Sequence, residues 1–288
     1  MAGTVNLSAP SYLPSLYGAG SGGDSLLASL YGYGSRQSSA GTVNPIAALT
    51  QAKAGEAKQV ALTARDPAVR RDITQFTQAL TRARTPGDLL SDPVALKVLL
   101  TANGLGDQVA HTALAKQALL SDPAKADALV NKLRDTRWKS VNQTFGFATK
   151  GLSVLRTPAA TAAVTQGYAE VVWRRSLNQT TPGLANALDF TKRASTISTV
   201  DQVLSDPTFR EVITMALGVP KQIAFQNLPA QETAITSRID LTKFKDPKFV
   251  DHFTQRYLIA AADAAQSAGR SGGGDLTNLA VRSGGLIV

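Results

Sequence analysis

Five Asp-Pro pairs punctuate the chain: Asp66-Pro67, Asp92-Pro93, Asp122-Pro123, Asp206-Pro207 and Asp246-Pro247. An aspartate at an N-cap accepts hydrogen bonds from backbone N–H groups that have no partner inside the helix, and its charge suits the positive helix end. Proline in the next position loses no needed donor. Each pair therefore marks a helix start, and five starts predict at least five helices.

The residues behind these starts have the matching period. After Asp66, Val69, Ile73, Phe76 and Leu80 fall on one stripe of a helix, where a strand would alternate. After Asp92, Leu96, Leu99 and Leu100 form an apolar face, and Gly104 supplies a left-handed C-terminal cap. Trp138, Val141 and Phe145 recur at i, i+3 and i+7, while Tyr168, Val171 and Val172 precede Trp173 in an amphipathic stretch over 161–177. These aromatic residues are assigned to the core, with the neighbouring Arg and Lys side chains reaching past them to solvent.

The punctuation is duplicated. Residues 85–110 align without gaps on residues 199–224, with ten identities in 26 positions. Thr85 pairs with Thr199, Leu90-Ser91-Asp92-Pro93 with Leu204-Ser205-Asp206-Pro207, Gly104 with Gly218 and Gln108 with Gln222. Asp135-Thr136-Arg137-Trp138 and Asp246-Pro247-Lys248-Phe249 share a weaker pattern of Asp, any residue, base, aromatic. The chain is thus expected to be all-α, a bundle-like body of two related multi-helix repeats, 46–150 and 151–268. Pro158 is the one clear break at the junction and no Gly/Ser linker follows it, so packing into one body is expected, with two loosely joined domains as the alternative.

Flexible arms are expected at both ends. Residues 1–45 are rich in Gly, Ser, Tyr, Leu and Ala, contain Pro10, Pro14 and Pro45, and have no sustained period. Ser15-Leu16-Tyr17-Gly18 recurs as Ser29-Leu30-Tyr31-Gly32, and Leu26, Leu27 and Leu30 line one side of a short helix. Leu16, Tyr17, Leu26, Leu27, Leu30 and Tyr31 are therefore the candidate residues of a partner-binding arm that folds on its target. Residues 269–288, with Gly272-Gly273-Gly274, are read as a second flexible tail.

Most familiar chemistry has no material here. The chain has no Cys and two His, which removes disulfides, thiolate zinc sites and Cys nucleophiles and leaves little for imidazole metal sites or Ser/His relays. His111 and His252 lie far apart, without a relay pattern around either. Asp outnumbers Glu by 17 to 4, and the aspartates are better explained as helix caps than as acid–base pairs. Gly18, Gly20 and Gly23 match a dinucleotide-type glycine pattern, but no buried strand precedes them. No catalytic residue, cofactor or metal is expected.

The net charge of +9 is spread thinly, with no run of five basic residues. Its densest clusters, Arg70-Arg71 and Trp173-Arg174-Arg175, have acidic neighbours and are read as solvated helix faces. Nucleic acid is accordingly not expected as a partner. No apolar run approaches the roughly 18 residues of a spanning helix, and no cleavable signal is expected, since the first basic residue is Arg36.

Three phrases carry a family resemblance: Asp88-Leu89-Leu90-Ser91-Asp92-Pro93 running into Leu96-Lys97-Val98-Leu99-Leu100-Thr101-Ala102-Asn103-Gly104-Leu105-Gly106-Asp107-Gln108; Asp135-Thr136-Arg137-Trp138-Lys139; and Asp246-Pro247-Lys248-Phe249-Val250 with Arg256-Tyr257-Leu258. Across roughly residues 60–260 the chain resembles an alphaproteobacterial family of domains of unknown function often encoded in flagellar gene clusters. Thr136 departs from the Asp-Pro form of the second phrase, which changes N1 but leaves the cap. The resemblance implies a helical fold and a flagellar association, and brings no active residues. The expectation is a non-enzymatic structural or assembly protein of the bacterial flagellum, exported or anchored through its N-terminal arm, with flagellar proteins or a second copy as partners. The alternative is a cytoplasmic helical chaperone or regulator of another flagellar protein.

Overall fold

Aspartates and threonines start most of the helices. A computed structural model describes residues 44–283, with side chains as far as Ala268. The first repeat runs α1 (Pro45–Thr63), α2 (Pro67–Arg82), α3 (Pro86–Leu89), α4 (Pro93–Ala102), a 3-10 turn (Gly106–Gln108), α5 (Thr112–Leu120), α6 (Leu129–Lys132), α7 (Thr136–Phe145) and α8 (Phe147–Lys150). The second runs α9 (Pro158–Leu177), α10 (Leu184–Arg193), a 3-10 turn (Ala194–Thr196), α11 (Val200–Ser205), α12 (Pro207–Ala216), a 3-10 turn (Lys221–Phe225), α13 (Leu228–Thr236), a 3-10 turn (Leu241–Lys245) and α14 (Pro247–Ser283). No strand occurs among the described residues. The candidate arm residues Leu16, Tyr17, Leu26, Leu27, Leu30 and Tyr31 lie outside them. The tail expected from Gly269 begins within α14.

The duplication extends to hydrogen bonds. Thr85 and Thr199 each close a reciprocal capping box, with Asp88 and Gln202 respectively. Asp92 Oδ1 accepts from Val94 N and Ala95 N at 2.9 Å each, and Asp206 Oδ1 accepts from Thr208 N and Phe209 N at 2.9 and 3.2 Å. At the other end of these twin helices Gly104 and Gly218 have φ of 76° and 63°. Behind them Leu105 N donates to Leu100 O and Val219 N to Thr214 O, both at 2.8 Å. These are paired Schellman endings, and the left-handed backbone is what requires glycine at both positions.

Asp66 and Asp246 also cap, accepting from Ala68 N and from Lys248 N at 2.9 Å. Asp122-Pro123 starts no helix, contrary to its sequence signal. Asp122 does accept from Ala124 N at 3.1 Å, but the Asn131 side chain donates to the Pro123 and Lys125 carbonyls at 2.9 and 3.0 Å. Residues 124–127 are exposed and offer no apolar stripe to bury, so the chain turns and α6 begins only at Leu129.

One apolar cluster runs from Ala48 in α1 to Ala261 in α14. Within it α9, the first helix of the second repeat, packs along both α4 and α1 of the first. At the α9–α4 crossing a Cβ on Gly167 would lie 3.2 Å from Ala102 O, so glycine permits the close approach. Trp138, Val141, Phe145 and Trp173 are buried. The second repeat centres on Phe190, which meets Phe209 and Phe244 edge-on at 6.1 and 5.4 Å. Residues 44–283 belong to one compact unit, with both repeats inside it.

Ion pairs stitch the repeats together. Lys192 on α10 reaches Glu56 on α1 at 2.5 Å and also meets Glu170 on α9. Glu170 pairs with Arg174, which reaches Asp189 at 2.7 Å. Asp189 pairs with Arg193, and Arg193 reaches Asp206 Oδ2 at 2.6 Å while lying 4.4 Å from the centre of the Phe209 ring. Arg174 is only 9% exposed, so the solvated-face reading of Trp173-Arg174-Arg175 fails at that residue. Asp72, Lys97 and Tyr168 form a second link, from α2 and α4 to α9.

Two outcomes follow from these contacts. Asp92→Ala removes a cap and should cost about 1 kcal/mol in urea unfolding. Asp206→Ala removes the matching cap and a partner of Arg193, and should cost about 2–4 kcal/mol; equal losses would mean that the Arg193 contact contributes nothing. Burial alone would raise the Asp189 pKa, but the Arg193 and Arg174 guanidinium groups outweigh it and hold the carboxyl below its ordinary value. A carboxyl lowered in the folded state contributes stability above its unfolded pKa of about 4, and that contribution is lost as pH falls through the folded value. Unfolding midpoints measured from pH 6 to 2 should therefore drop below about pH 4, and Asp189→Asn should be less stable at neutral pH with a shallower acid limb.

Candidate interaction surface

The cap residues singled out in the sequence do not converge. Asp66, Asp122 and Asp246 stand at separate helix or turn starts. Asp206 and Gly104 are drawn into side-chain contacts, Asp206 with Arg193 and Gly104 through its carbonyl. The residue at Gly104 is Arg137, on α7. Its Nη1 donates to Gly104 O at 2.6 Å, and its two terminal nitrogens reach the two Asp107 oxygens at 2.9 Å each. Nη2 also reaches Asp135 at 2.7 Å. Burial would lower the Arg137 pKa, but Asp135 and then Asp107 hold it above the ordinary value and the group stays charged. Asp107 is in turn held below the usual carboxylate range, Arg137 overcoming the effect of burial.

This anchor fixes α7 across the first repeat. Asn142, five residues further on, donates from Nδ2 to Ala118 O and Ser121 O at 2.8 and 2.9 Å. The helix therefore reaches from the Gly104 turn to the end of α5, and its Trp138 is 1% exposed. Leu96 and Leu100 of α4, Leu105 and Leu119 are all fully buried in this repeat.

The second repeat carries an open cleft. After α13 the chain enters the Leu241–Lys245 turn and then α14, which packs on α12, α10 and α1. A groove of about 580 Å³ remains between α12, the Lys221–Phe225 turn and α13. Leu204, Met215, Val219, Ile223 and Ile235 supply its apolar lining, and Arg210 and Lys221 its cations. Glu211 is occupied from below: its Oε1 accepts from the Tyr257 hydroxyl at 3.1 Å. Burial, with Glu211 adding to it, raises the Tyr257 pKa and keeps the phenol protonated as that donor. Phe225, next to the groove residue Ala224, is 90% exposed. An exposed aromatic beside an apolar cleft is the kind of surface that marks protein–protein contact.

Sequence reasoning located the groove's frame, Asp206, Pro207 and Gly218, but assigned it only to structure. Arg210, Lys221 and Phe225 were not singled out. The signal that could have found them is the gapless alignment itself, in which Leu96 faces Arg210, Leu100 faces Thr214 and Asp107 faces Lys221. Both histidines, His111 and His252, are exposed. Among the described residues no helix is long and apolar enough to cross a membrane.

Residues 102–250 match a family described as Protein of unknown function (DUF1217). The crystal structure of a protein from Agrobacterium tumefaciens, determined as a structural-genomics target, is similar in fold: TM-score 0.65, 22% sequence identity, covering 78% of this chain and 96% of that one. No curated protein matches the chain. The family match takes in α5–α8 together with α9–α13 and the groove, more than half of the 288 residues, and the chain therefore belongs to the DUF1217 family of proteins of unknown function.

Proposed function

We propose that this protein is a non-catalytic docking component of the bacterial flagellum, with a structural or assembly role. The observation that carries the docking part is the groove of the second repeat, an apolar cleft flanked by the exposed Phe225. The buried and half-buried charged groups support it as well, since Arg137, Arg174, Asp189 and Asp206 are engaged in pairs that hold helices together. The flagellar setting is supported by the resemblance of the Asp88–Gln108, Asp135–Lys139 and Asp246–Leu258 phrases to a family often encoded beside flagellar genes. Residues 1–45 are assigned to export or anchoring, from their composition and low charge.

A second reading, a cytoplasmic chaperone or regulator, draws on the same groove, because clefts of this kind hold amphipathic helices. Fluorescent tagging at the C-terminus in the encoding bacterium separates the two. The proposal expects foci at flagellar bases or recovery with purified flagella, and expects residues 1–45 to direct a fused reporter through the flagellar apparatus. Diffuse cytoplasmic signal with copurification of one soluble flagellar protein would replace it with the chaperone reading. A distribution unrelated to flagella would end both.

A further inference from the structure

A second concavity, of about 470 Å³, lies where the ends of α12 and α13, the Leu241–Lys245 turn and α14 meet. Leu217, Ile239 and Phe249 form its apolar walls. Its charged groups are Arg238 just after α13, Lys243 in the turn, Arg256 on α14 and one carboxylate, Asp240. That carboxylate is already engaged, since Asp240 Oδ1 accepts from Thr242 N at 2.9 Å. Arg238 donates to Ala234 O at 2.7 Å and Lys243 lies 5.9 Å from the centre of the Phe249 ring, but none of the three cations has an ion-pair partner among the described residues. They differ in this from Arg137, Arg174, Lys192 and Arg193, whose charges are answered within the fold. His252 adds an imidazole N–H, a donor in either ionisation state.

The other repeat shows what these positions on α14 have given up. On α7 the stripe Trp138, Val141 and Phe145 is interior. Counted from the shared starts at Asp135 and Asp246, the same steps on α14 fall on Phe249, His252 and Arg256. Phe249 is half-buried, while His252 and Arg256 are exposed and line the pocket. α14 fills the core with the adjacent stripe of Val250, Phe253, Tyr257 and Leu258 instead. One flank of the helix therefore faces outward with unanswered positive charge beside an apolar wall.

We infer that this pocket receives an acidic segment of a partner protein, one that carries a large apolar side chain between carboxylates. The carboxylates meet Arg238, Lys243 and Arg256, and the apolar side chain rests on Leu217, Ile239 and Phe249. A compact phosphate is less well served: such groups are held by free backbone N–H groups at helix starts, whereas α13 presents its C-terminal end here and Asp240 occupies the Thr242 N–H. The inference rests on the docking reading and adds the chemistry of the partner. Pocket and groove adjoin along the chain, Leu217 and Thr236 lining the one and their neighbours Gly218 and Ile235 the other, and the groove's Arg210 and Lys221 carry the same sign.

The test is fluorescence anisotropy on the full chain with a rhodamine-labelled peptide of repeated Glu-Leu-Glu, beside the same peptide with Gln in place of Glu. The Glu peptide should bind and the Gln peptide should not. Lys243→Glu combined with Arg256→Glu should weaken the Glu peptide by about tenfold or more. Arg70→Glu combined with Arg71→Glu, an equal change of net charge in the first turn of α2, should leave its affinity unchanged. All four side chains are exposed, and circular dichroism should show both variants melting as the parent does. Equal weakening by the two double variants overturns the inference, because net charge and not the pocket would then hold the peptide; absence of Glu-peptide binding overturns it too. Tighter binding of inorganic pyrophosphate or of an oligothymidylate than of the Glu peptide does so in favour of a phosphate ligand. A dimer in sedimentation that Arg256→Glu dissociates likewise overturns it, making the occupant a second copy. Failure here with foci at flagellar bases intact removes the pocket and leaves the docking reading on the groove.

Discussion

The Asp206 carboxylate does two things at once: one oxygen satisfies the free N–H groups at the start of α12, and the other holds Arg193 of α10. The rest of the architecture depends on contacts of this type. Apart from α1, α2, α9 and α14, the helices are ten residues or shorter, below the length at which a helix is stable alone in water. Each short helix must have its terminal donors satisfied and one face buried before it gains anything from forming. Caps supply the first condition, and the apolar cluster from Ala48 to Ala261 supplies the second. The ion-pair chain through Glu56, Lys192, Glu170, Arg174, Asp189 and Arg193 then sets which helices meet. It is only 2% exposed at its Asp206 end, where removing a partner is costly.

Local signals were legible in the sequence and distant ones were not. Asp66, Asp92, Asp206 and Asp246 act within three residues of themselves, and Gly104 and Gly218 answer to their own backbone angles, so their roles follow from neighbours in the chain. Asp122 had the same local signal and a different outcome, because Asn131 takes the carbonyls that a helix beginning there would need. Arg174 reads as a surface cation beside Trp173 until Asp189 is placed opposite it. Arg137 gains Asp107 only when α7 folds across the Gly104 turn. The groove was hidden for a further reason: it depends on where the helix after the five matched ones is laid, α7 against α5 in the first repeat and α14, which shares its start pattern, against α12, α10 and α1 in the second.

That asymmetry is where the two copies part. Their first five helices match one for one, and their backbones end the α4 and α12 helices in the same way. After α5 the chain folds back through α6–α8 against α5, whereas after α13 the long α14 packs on α12 and α10 of its own repeat and on α1 of the other. Substitution of Leu96 by Arg210 and Leu100 by Thr214 fits a surface that has stopped being interior without becoming wholly polar.

The crossing of α9 over α4 has a bearing on how the chain is made. By position α9 begins the second copy, yet Gly167 lets it lie against Ala102 and complete the interior of the first. As the polypeptide leaves the ribosome, the leading copy must wait for about twenty residues of its successor before its own centre is sealed. The seam in the gene's repetition and the seam in the folded object are therefore in different places, and scissors applied at the former would spoil both pieces.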